Sequence, residues 1–454
     1  MGSMRKRPLG WLLVAVTVLA GESGAGPLQH RVWVLDPALG APEVAELRRV
    51  GVDGAVVPVG SVEVAPGSAR LTVGKLPELD SLQGVSVVPL LWASGRGDAA
   101  GDAEAFLQQF SVVARNFTRG GVVFAVREPW PGLPRFAAAV AKRLGAPVEV
   151  VMAATALAQL GNAAVWEGAV VTAVAFGNPE ALGFPASTIH DDLQALEAIE
   201  DLDLPFRVAL VVQPVARPAA GTSGESVAAL AKGTVADYRP TQRGDGFLLR
   251  EPLPWGGTLL PRGASIEVSV VDSARYHRDL GLVLRPVRNR LLGWDTVGVP
   301  PHAPALGMSL EALVDYLLGN PPQPAPAIAV EWPTPLRLRV AVANESPHSS
   351  AAATGGNWIE LAFPGGVVAD VELGEFRGLE YGQVVGGQFR KAPSGEASAL
   401  RLFVNFFAPM GQVGAAEVRF IQRPRELSGR WGARLSDGST VSGGVQPLPL
   451  PGRR

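Results

Sequence analysis

The chain reads as an α/β protein, a (β/α)8 TIM-like barrel followed by a C-terminal antiparallel β-sandwich. Three observations predict this. Between residues 31 and 299, eight apolar runs alternate with helix-patterned segments. The runs are continuously apolar, the pattern of strands covered on both faces as in a parallel sheet. Beyond the proline-rich stretch Pro321–Ala327 (PPQPAPA) the pattern changes to strict alternation, which marks strands with one buried face. A closed barrel is preferred to an open doubly wound sheet because the strand count reaches eight and no G-x-G-x-x-G turn follows the first strand.

The first expected strand, Arg31–Leu35, ends in Asp36. Its helix carries Pro42 in the first turn, Val44 and Leu47 on one face, and Gly51 as a stop. The second strand, Gly54–Val59, runs into a loop with Ser61 and Glu63. The third, Val85–Leu91, closes on Trp92, and the helix after Asp102 aligns Phe106, Phe110 and Val113 at helical spacing. The fourth lies in GGVVFAVREPW (120–130), where Val122–Val126 breaks into Arg127, Glu128, Pro129 and Trp130. A helix over about Pro134–Leu144 follows and stops at Gly145. The fifth strand is Val148–Met152, followed by a helix of small residues. The sixth is Val170–Phe176, ending in Gly177-Asn178-Pro179-Glu180, with a helix starting near Thr188. The seventh is Phe206–Val212, ending at Gln213-Pro214.

An excursion then runs from Val215 to Leu292, with a hairpin (Gly246–Glu251, Ser265–Val271) and a helical piece near Ser273–Leu280. It reads as a lid or plug for the barrel. The eighth strand, Gly293–Val299, ends at Pro300-Pro301-His302. Its helix, Ser309–Leu318, repeats apolar residues at i, i+3, i+4, i+7 and i+8 and stops at Gly319. In the C-terminal part, Leu336, Leu338, Val340 and Val342 face one way, and Leu400, Leu402, Val404 and Phe406 repeat the pattern. Asn357–Ala362, Val367–Leu373, Glu417–Ile421 and Trp431–Leu435 are further strands, and Asp437-Gly438 is a hairpin turn. The expected division is therefore a signal peptide at 1–25, the barrel at 26–320 with an insertion at about 215–292, a stiff linker at 321–327, the sandwich at 328–447, and a disordered tail at 448–454.

Arg5-Lys6-Arg7 ahead of the apolar run Leu9–Ala20, then small residues, is the pattern of a secretory signal. Export to the periplasm or the extracellular space is expected, with no membrane span in the mature chain. The sequence has no cysteine, which excludes a disulfide framework, a thiolate nucleophile and a Cys-ligated zinc site. A net charge of −2, with no basic run, gives no footprint for nucleic acid. The five histidines show no H-x-H or H-E-x-x-H spacing, so neither a metal nor a cofactor is expected. His190-Asp191-Asp192 opens a helix, where acidic residues cap free N–H groups.

In such barrels chemistry sits at the C-terminal ends of the strands. That places Asp36, Ser61, Glu63, Trp92, Arg127, Glu128, Trp130, Asn178, Glu180, Gln213 and His302 on one rim, with Asp295 inside the eighth strand. Tryptophan faces stack on sugar rings, and a pair of carboxylates roughly 5 to 10 Å apart cleaves a glycosidic bond. Glu128, directly after the fourth strand, is the candidate general acid, and Asp36, Glu180 and Asp295 are candidate partners. Trp92, Arg127, Trp130, Asn178, Gln213 and His302 are candidate binding residues. The seventh strand ends in Gln213, which cannot ionise, where many barrel glycosidases place their second acid.

The runs LPFRVALVV (204–212), GWDTVGVPPHAPALGMSLEALVDYLLGNPP (293–322) and LRLRVAVANES (336–346) resemble a family of exported bacterial proteins known only as a domain of unknown function. The resemblance covers about two-thirds of the chain. It implies a barrel-like N-terminal region, a strand-rich tail and export, and supplies no activity. The sequence departs from it at Gln213-Pro214, where Tyr-Gly is usual, and at Asp295-Thr296, where an Arg-containing apolar run is usual. The function expected from the rim is an exported, glycosidase-like barrel that binds a glycan or cell-envelope polymer, with or without catalysis. An active glycoside hydrolase using Glu128, and a structural or protein-interaction protein of the envelope, are the alternatives.

Overall fold

The computed structural model describes residues 28–35, 41–74, 82, 84–96, 103–117, 121–159, 166, 168–217, 229–241, 245–286, 288–298 and 307–450. The N-terminal strands are β1 (Gln29–Trp33), β2 (Val52–Ala65), β3 (Ser68–Val73), β4 (Ser86–Gly95), β5 (Val122–Val126), β6 (Val148–Ala153), β7 (Ala169–Gly177) and β8 (Phe206–Val211). An excursion contributes β9 (Val215–Arg217), β10 (Ala236–Pro240), β11 (Asp245–Leu249), β12 (Leu253–Trp255), β13 (Thr258–Leu260) and β14 (Ser265–Ser269). β15 (Leu291–Val297) completes the set. β1 pairs in parallel with both β15 and β2, so the sheet β1-β15-β8-β7-β6-β5-β4-β2 closes on itself. The fold is an eight-stranded parallel barrel with interleaved helices.

Among the described residues seven α-helices follow in chain order: α1 (Ala41–Arg49), α2 (Ala103–Ala114), α3 (Leu133–Leu144), α4 (Ala154–Gln159), α5 (Ile189–Asp201), α6 (Ser273–Leu284) and α7 (Leu310–Leu317). The continuous apolar runs follow from burial on both strand faces. On the β5 outer face Phe124 meets Phe106 and Phe136 from α2 and α3, with ring centroids 5.5 Å away in each case. Its neighbours Val123 and Ala125 point into the barrel, among Trp33, Val56, Leu90, Val151, Val174, Val211 and Val297. Each Val, Leu or Phe among these contributes roughly 1.5–3 kcal/mol when fully buried. Gly145, in the left-handed region at φ 64°, ends α3 at the expected stop.

One element differs from expectation in kind. Where a loop with Ser61 and Glu63 was expected, β2 runs on to Ala65 and turns at Gly67 to pair antiparallel with β3. Val62, Val64 and Ala69 are buried there, so S-V-E-V-A is a half-buried strand with period two.

The C-terminal strands form two antiparallel sheets. One contains β16 (Pro326–Thr334) and β17 (Arg337–Asn344). The next strands are β18 (Asn357–Ala362), β19 (Val367–Glu372), β20 (Gly378–Val385), β21 (Gln388–Lys391), β22 (Ala399–Val404), β23 (Gln412–Gln422), β24 (Ser428–Arg434), β25 (Thr440–Ser442) and β26 (Gln446–Pro447). The sheet orders are β16-β17-β23-β19 and β21-β20-β22-β18-β24-β25, with β26 also on β24. Leu338, Val340 and Val342 enter the core between them with Leu400, Leu402 and Val404. Leu336, expected on the same face, precedes the strand and is exposed. β16 begins at Pro326, inside the stretch read as linker. The stretch read as a disordered tail is held at its start, because Leu448 donates its N–H to Leu427 and Trp332 donates to the Pro449 carbonyl.

The excursion builds the antiparallel sheet β10-β11-β14-β9, which shares a core with the sandwich. Phe247 meets Phe406 edge-on at 6.0 Å. The Asn405 amide donates to the carbonyls of Leu230 and Ala236. α6 touches the sandwich too, with Ser273 Oγ 2.9 Å from His348 Nδ1.

Candidate functional site

At the C-terminal mouth, the β7 exit shapes what a ligand meets. Phe176 and Gly177 both adopt left-handed backbone, at φ 63° and 69°. For a buried aromatic this costs on the order of 1–3 kcal/mol. The turn is held from outside: Asp192 accepts the Phe176 N–H at 2.7 Å, and Arg275 donates to the Gly177 carbonyl at 2.9 Å. Burial pushes the Asp192 carboxyl above its ordinary range. Thr188 and Asp191 form a reciprocal capping box at the start of α5, which accounts for the acidic run there.

The chain then crosses the mouth. Leu182 and Phe184 drop into the interior apolar cluster and are buried. Arg127 secures this segment by donating to the Leu182 carbonyl at 2.8 Å, and its guanidinium lies 4.4 Å from the centre of the half-buried Trp92 ring. Gly183, at φ 77°, permits the approach, since a Cβ there would sit 2.9 Å from Arg127 Nε. The residues that enter the mouth thus come from the loop after β7. The 215–292 excursion braces that loop: Arg217 pairs with Glu180 at 2.5 Å, and Ser269 hydrogen-bonds both ends of the Asn178 amide.

The sequence-predicted residues therefore part company. Trp92, Arg127 and Glu128 share the mouth; Glu128 is exposed, and no ion pair ties it to another described residue. Trp130 is buried in the layer between strands and helices, its indole against Gly95, where a Cβ would lie 2.4 Å away. Asn178 is buried and spends its amide on the carbonyls of Gln213 and Ser269. The Gln213 side chain packs on Gly298. Asp36 and His302 lie outside the described residues.

Asp295 sits lower, inside the barrel, beneath the layer formed by Val174, Val211 and Val297. Its carboxylate is fully buried and accepts from Arg31 (3.0 and 2.6 Å), Arg207 (3.0 Å) and the Trp33 indole (2.9 Å). Arg31 reaches on across the barrel to Glu149 of β6, with bonds of 2.6 and 2.7 Å. Burial alone would raise the Asp295 pKa, but Arg31 and Arg207 together hold it below the ordinary carboxylate range. The same anions hold Arg31 charged against the penalty of burial. Sequence reasoning missed this tetrad. Its signal was available: Arg31, Glu149, Arg207 and Asp295 are single charges inside four apolar runs.

Just outside this layer, His30 stacks on Trp294 at 4.8 Å, and its Nε2 lies 2.9 Å from Thr296 Oγ1, which also meets the Tyr276 hydroxyl at 2.6 Å. Burial lowers the ring pKa to about 3, against the pull of Asp295, so His30 is neutral. At the foot of the barrel a cavity of 350 Å³ opens between the strand N-termini, lined by Arg31, Asp53, Ser86, Glu149 and Arg207 among others. Among the described residues no three His, Asp or Glu side chains gather to hold a metal ion. No described helix is long and apolar enough to cross a membrane.

Two solved structures align with the chain at low similarity. The spore cortex-lytic enzyme SleL of Bacillus megaterium QM B1551 aligns with 65% of this chain and 74% of its own, at 14% identity and a TM-score of 0.43. A beta-glycosidase from Bacteroides vulgatus aligns with 93% of this chain and 64% of its own, at 10% identity and a TM-score of 0.30. No family model matches the sequence, and no curated protein does.

Proposed function

We propose that the chain is an exported barrel protein that binds a glycan or cell-envelope polymer at the C-terminal mouth without hydrolysing it. One observation supports this reading: among the described candidate carboxylates, Glu180 and Asp295 are both engaged by arginines, and Glu128 alone has no ion pair. Glycoside hydrolysis needs two carboxyl groups facing one bond, one as acid and one as nucleophile or base. Glu128 has no ion pair among the described residues, whereas Glu180 is bound to Arg217 and Asp295 is locked between two guanidiniums under an apolar layer. Leu182 and Phe184 belong to the buried apolar cluster that includes Val174, Val211 and Val297, above Asp295. What the mouth keeps is a half-buried indole, a guanidinium and an exposed carboxylate, a set suited to stacking and hydrogen bonding.

The test is co-sedimentation with insoluble cell-wall polysaccharide alongside a reducing-end assay. Retention that drops in Trp92→Ala, with no reducing ends released, is the expected result. Release of reducing ends that Glu128→Gln abolishes would establish the hydrolase reading instead.

A further inference from the structure

The outer face of the larger sandwich sheet carries an arrangement that the barrel mouth does not explain. Trp358 of β18 lies opposite Phe403 of β22, and Glu360, two residues on, lies opposite Arg401 on one side and Arg430 on the other. Period two puts all five on one face. The Trp358 ring lies flat over Gly432, where a Cβ would come within 2.5 Å of it. The Arg401 guanidinium is 4.5 Å from the ring centres of both Trp358 and Phe389, and that of Arg430 is 5.9 Å from Trp358. Trp358, Phe389 and Phe403 all remain half-buried.

The charges do not balance. Glu360 is 3% exposed and accepts from Arg401 at 2.8 Å and from Arg430 at 2.6 Å, so one carboxylate serves two guanidiniums. At the edge of this face Lys391 and Glu380 neutralise each other at 2.6 Å. One positive charge therefore stays uncompensated beside a flat aromatic surface. We propose that this face is a second binding surface, for a polysaccharide that carries carboxylate groups. Sugar rings pack on Phe403 and against the Trp358–Arg401 stack, and the ring carboxylates meet Arg430 and Arg401. Stacking selects sugar rings over a bare polyanion, and the excess guanidinium selects acidic over neutral sugars.

The inference stands apart from the reading of the barrel mouth, so it is tested in the full chain carrying Trp92→Ala. The probe is soluble polygalacturonate in affinity electrophoresis and calorimetry. Fully methyl-esterified polygalacturonate supplies the same backbone without charge, and polyphosphate supplies charge without rings. Binding of polygalacturonate alone is expected, weakened about tenfold by Trp358→Ala and by Arg430→Gln. Gly432→Ala, which drives a methyl group into the ring, should weaken it as well. Arg430→Gln decides the matter if Trp358→Ala lowers the melting temperature. The proposal is overturned by absence of binding, by equal binding of the esterified polymer or of polyphosphate, or by sandwich variants that bind as tightly as their parent.

Discussion

At the scale of single residues, the most consequential group is Asp295, because two guanidiniums depend on it. Removing one member of a buried ion pair leaves the others uncompensated, at a cost of about 3–5 kcal/mol. Asp295→Asn is therefore expected to lower the unfolding free energy by that amount in urea titrations. A loss within 0.5 kcal/mol or so, typical of a surface change, would show that the tetrad is solvated. His30 gives a separate signature in pH. Its folded pKa, about 3, lies below the ordinary value, so the unfolded chain takes up a proton that the folded chain refuses. Stability from this residue is full above pH 6.5 and declines as pH falls towards 3. The slope is about 1.4 kcal/mol per pH unit. Urea midpoints between pH 6.5 and 5 should fall more steeply for the parent than for His30→Gln; parallel curves would mean the ring is not buried neutral. None of this was readable residue by residue. A charge inside an apolar run signals that something answers it, but Arg31 is answered 264 positions away.

At the scale of elements, the eight apolar runs were legible because burial on both faces leaves a strand no choice of composition. Helices were legible where a cap and a stop bracketed an apolar stripe, as at Ser309 and Gly319 around α7. The β2–β3 hairpin was missed because Ser61 and Glu63 look like loop residues until the alternate Val62 and Val64 are counted. The segment after β7 was legible as polar punctuation, GNPE, and its path was not. That path rests on a left-handed Phe176 and on Gly183 yielding to Arg127. Phe184 is the element's anchor in the barrel. Phe184→Ala should cost about 3–5 kcal/mol, read by chemical unfolding, as for other buried phenylalanines. A cost near zero would mean the segment rests on the rim without filling it.

At the scale of the whole molecule, barrel and sandwich are not two beads on a linker. The excursion shares its core with the sandwich through Phe247 and Phe406, and Asn405 bonds across the junction. A chain ending at Asn320 should therefore aggregate or elute as oligomers in size-exclusion chromatography, because Phe247, Leu249 and Trp255 lose part of their cover. A monodisperse, folded barrel from that truncation would contradict the shared core. For the intact chain, a single calorimetric transition is expected. The sequence marked the boundary by its change of period, yet Pro326, the last proline of the stretch that looked like a spacer, begins the first sandwich strand.

The tetrad also sets the order in which the molecule can be assembled. Arg207 finds its carboxylate only when β15 docks between β8 and β1, and β15 is the last barrel strand to be synthesised. Until then a guanidinium and its partners are better hydrated than enclosed, so early collapse of the half-made sheet is disfavoured. Sealing the seam between first and last strands joins distant parts of the chain, and contacts of that kind slow folding. A ribosome that has delivered 290 residues has produced a sheet with every strand but one, and no reason yet to close.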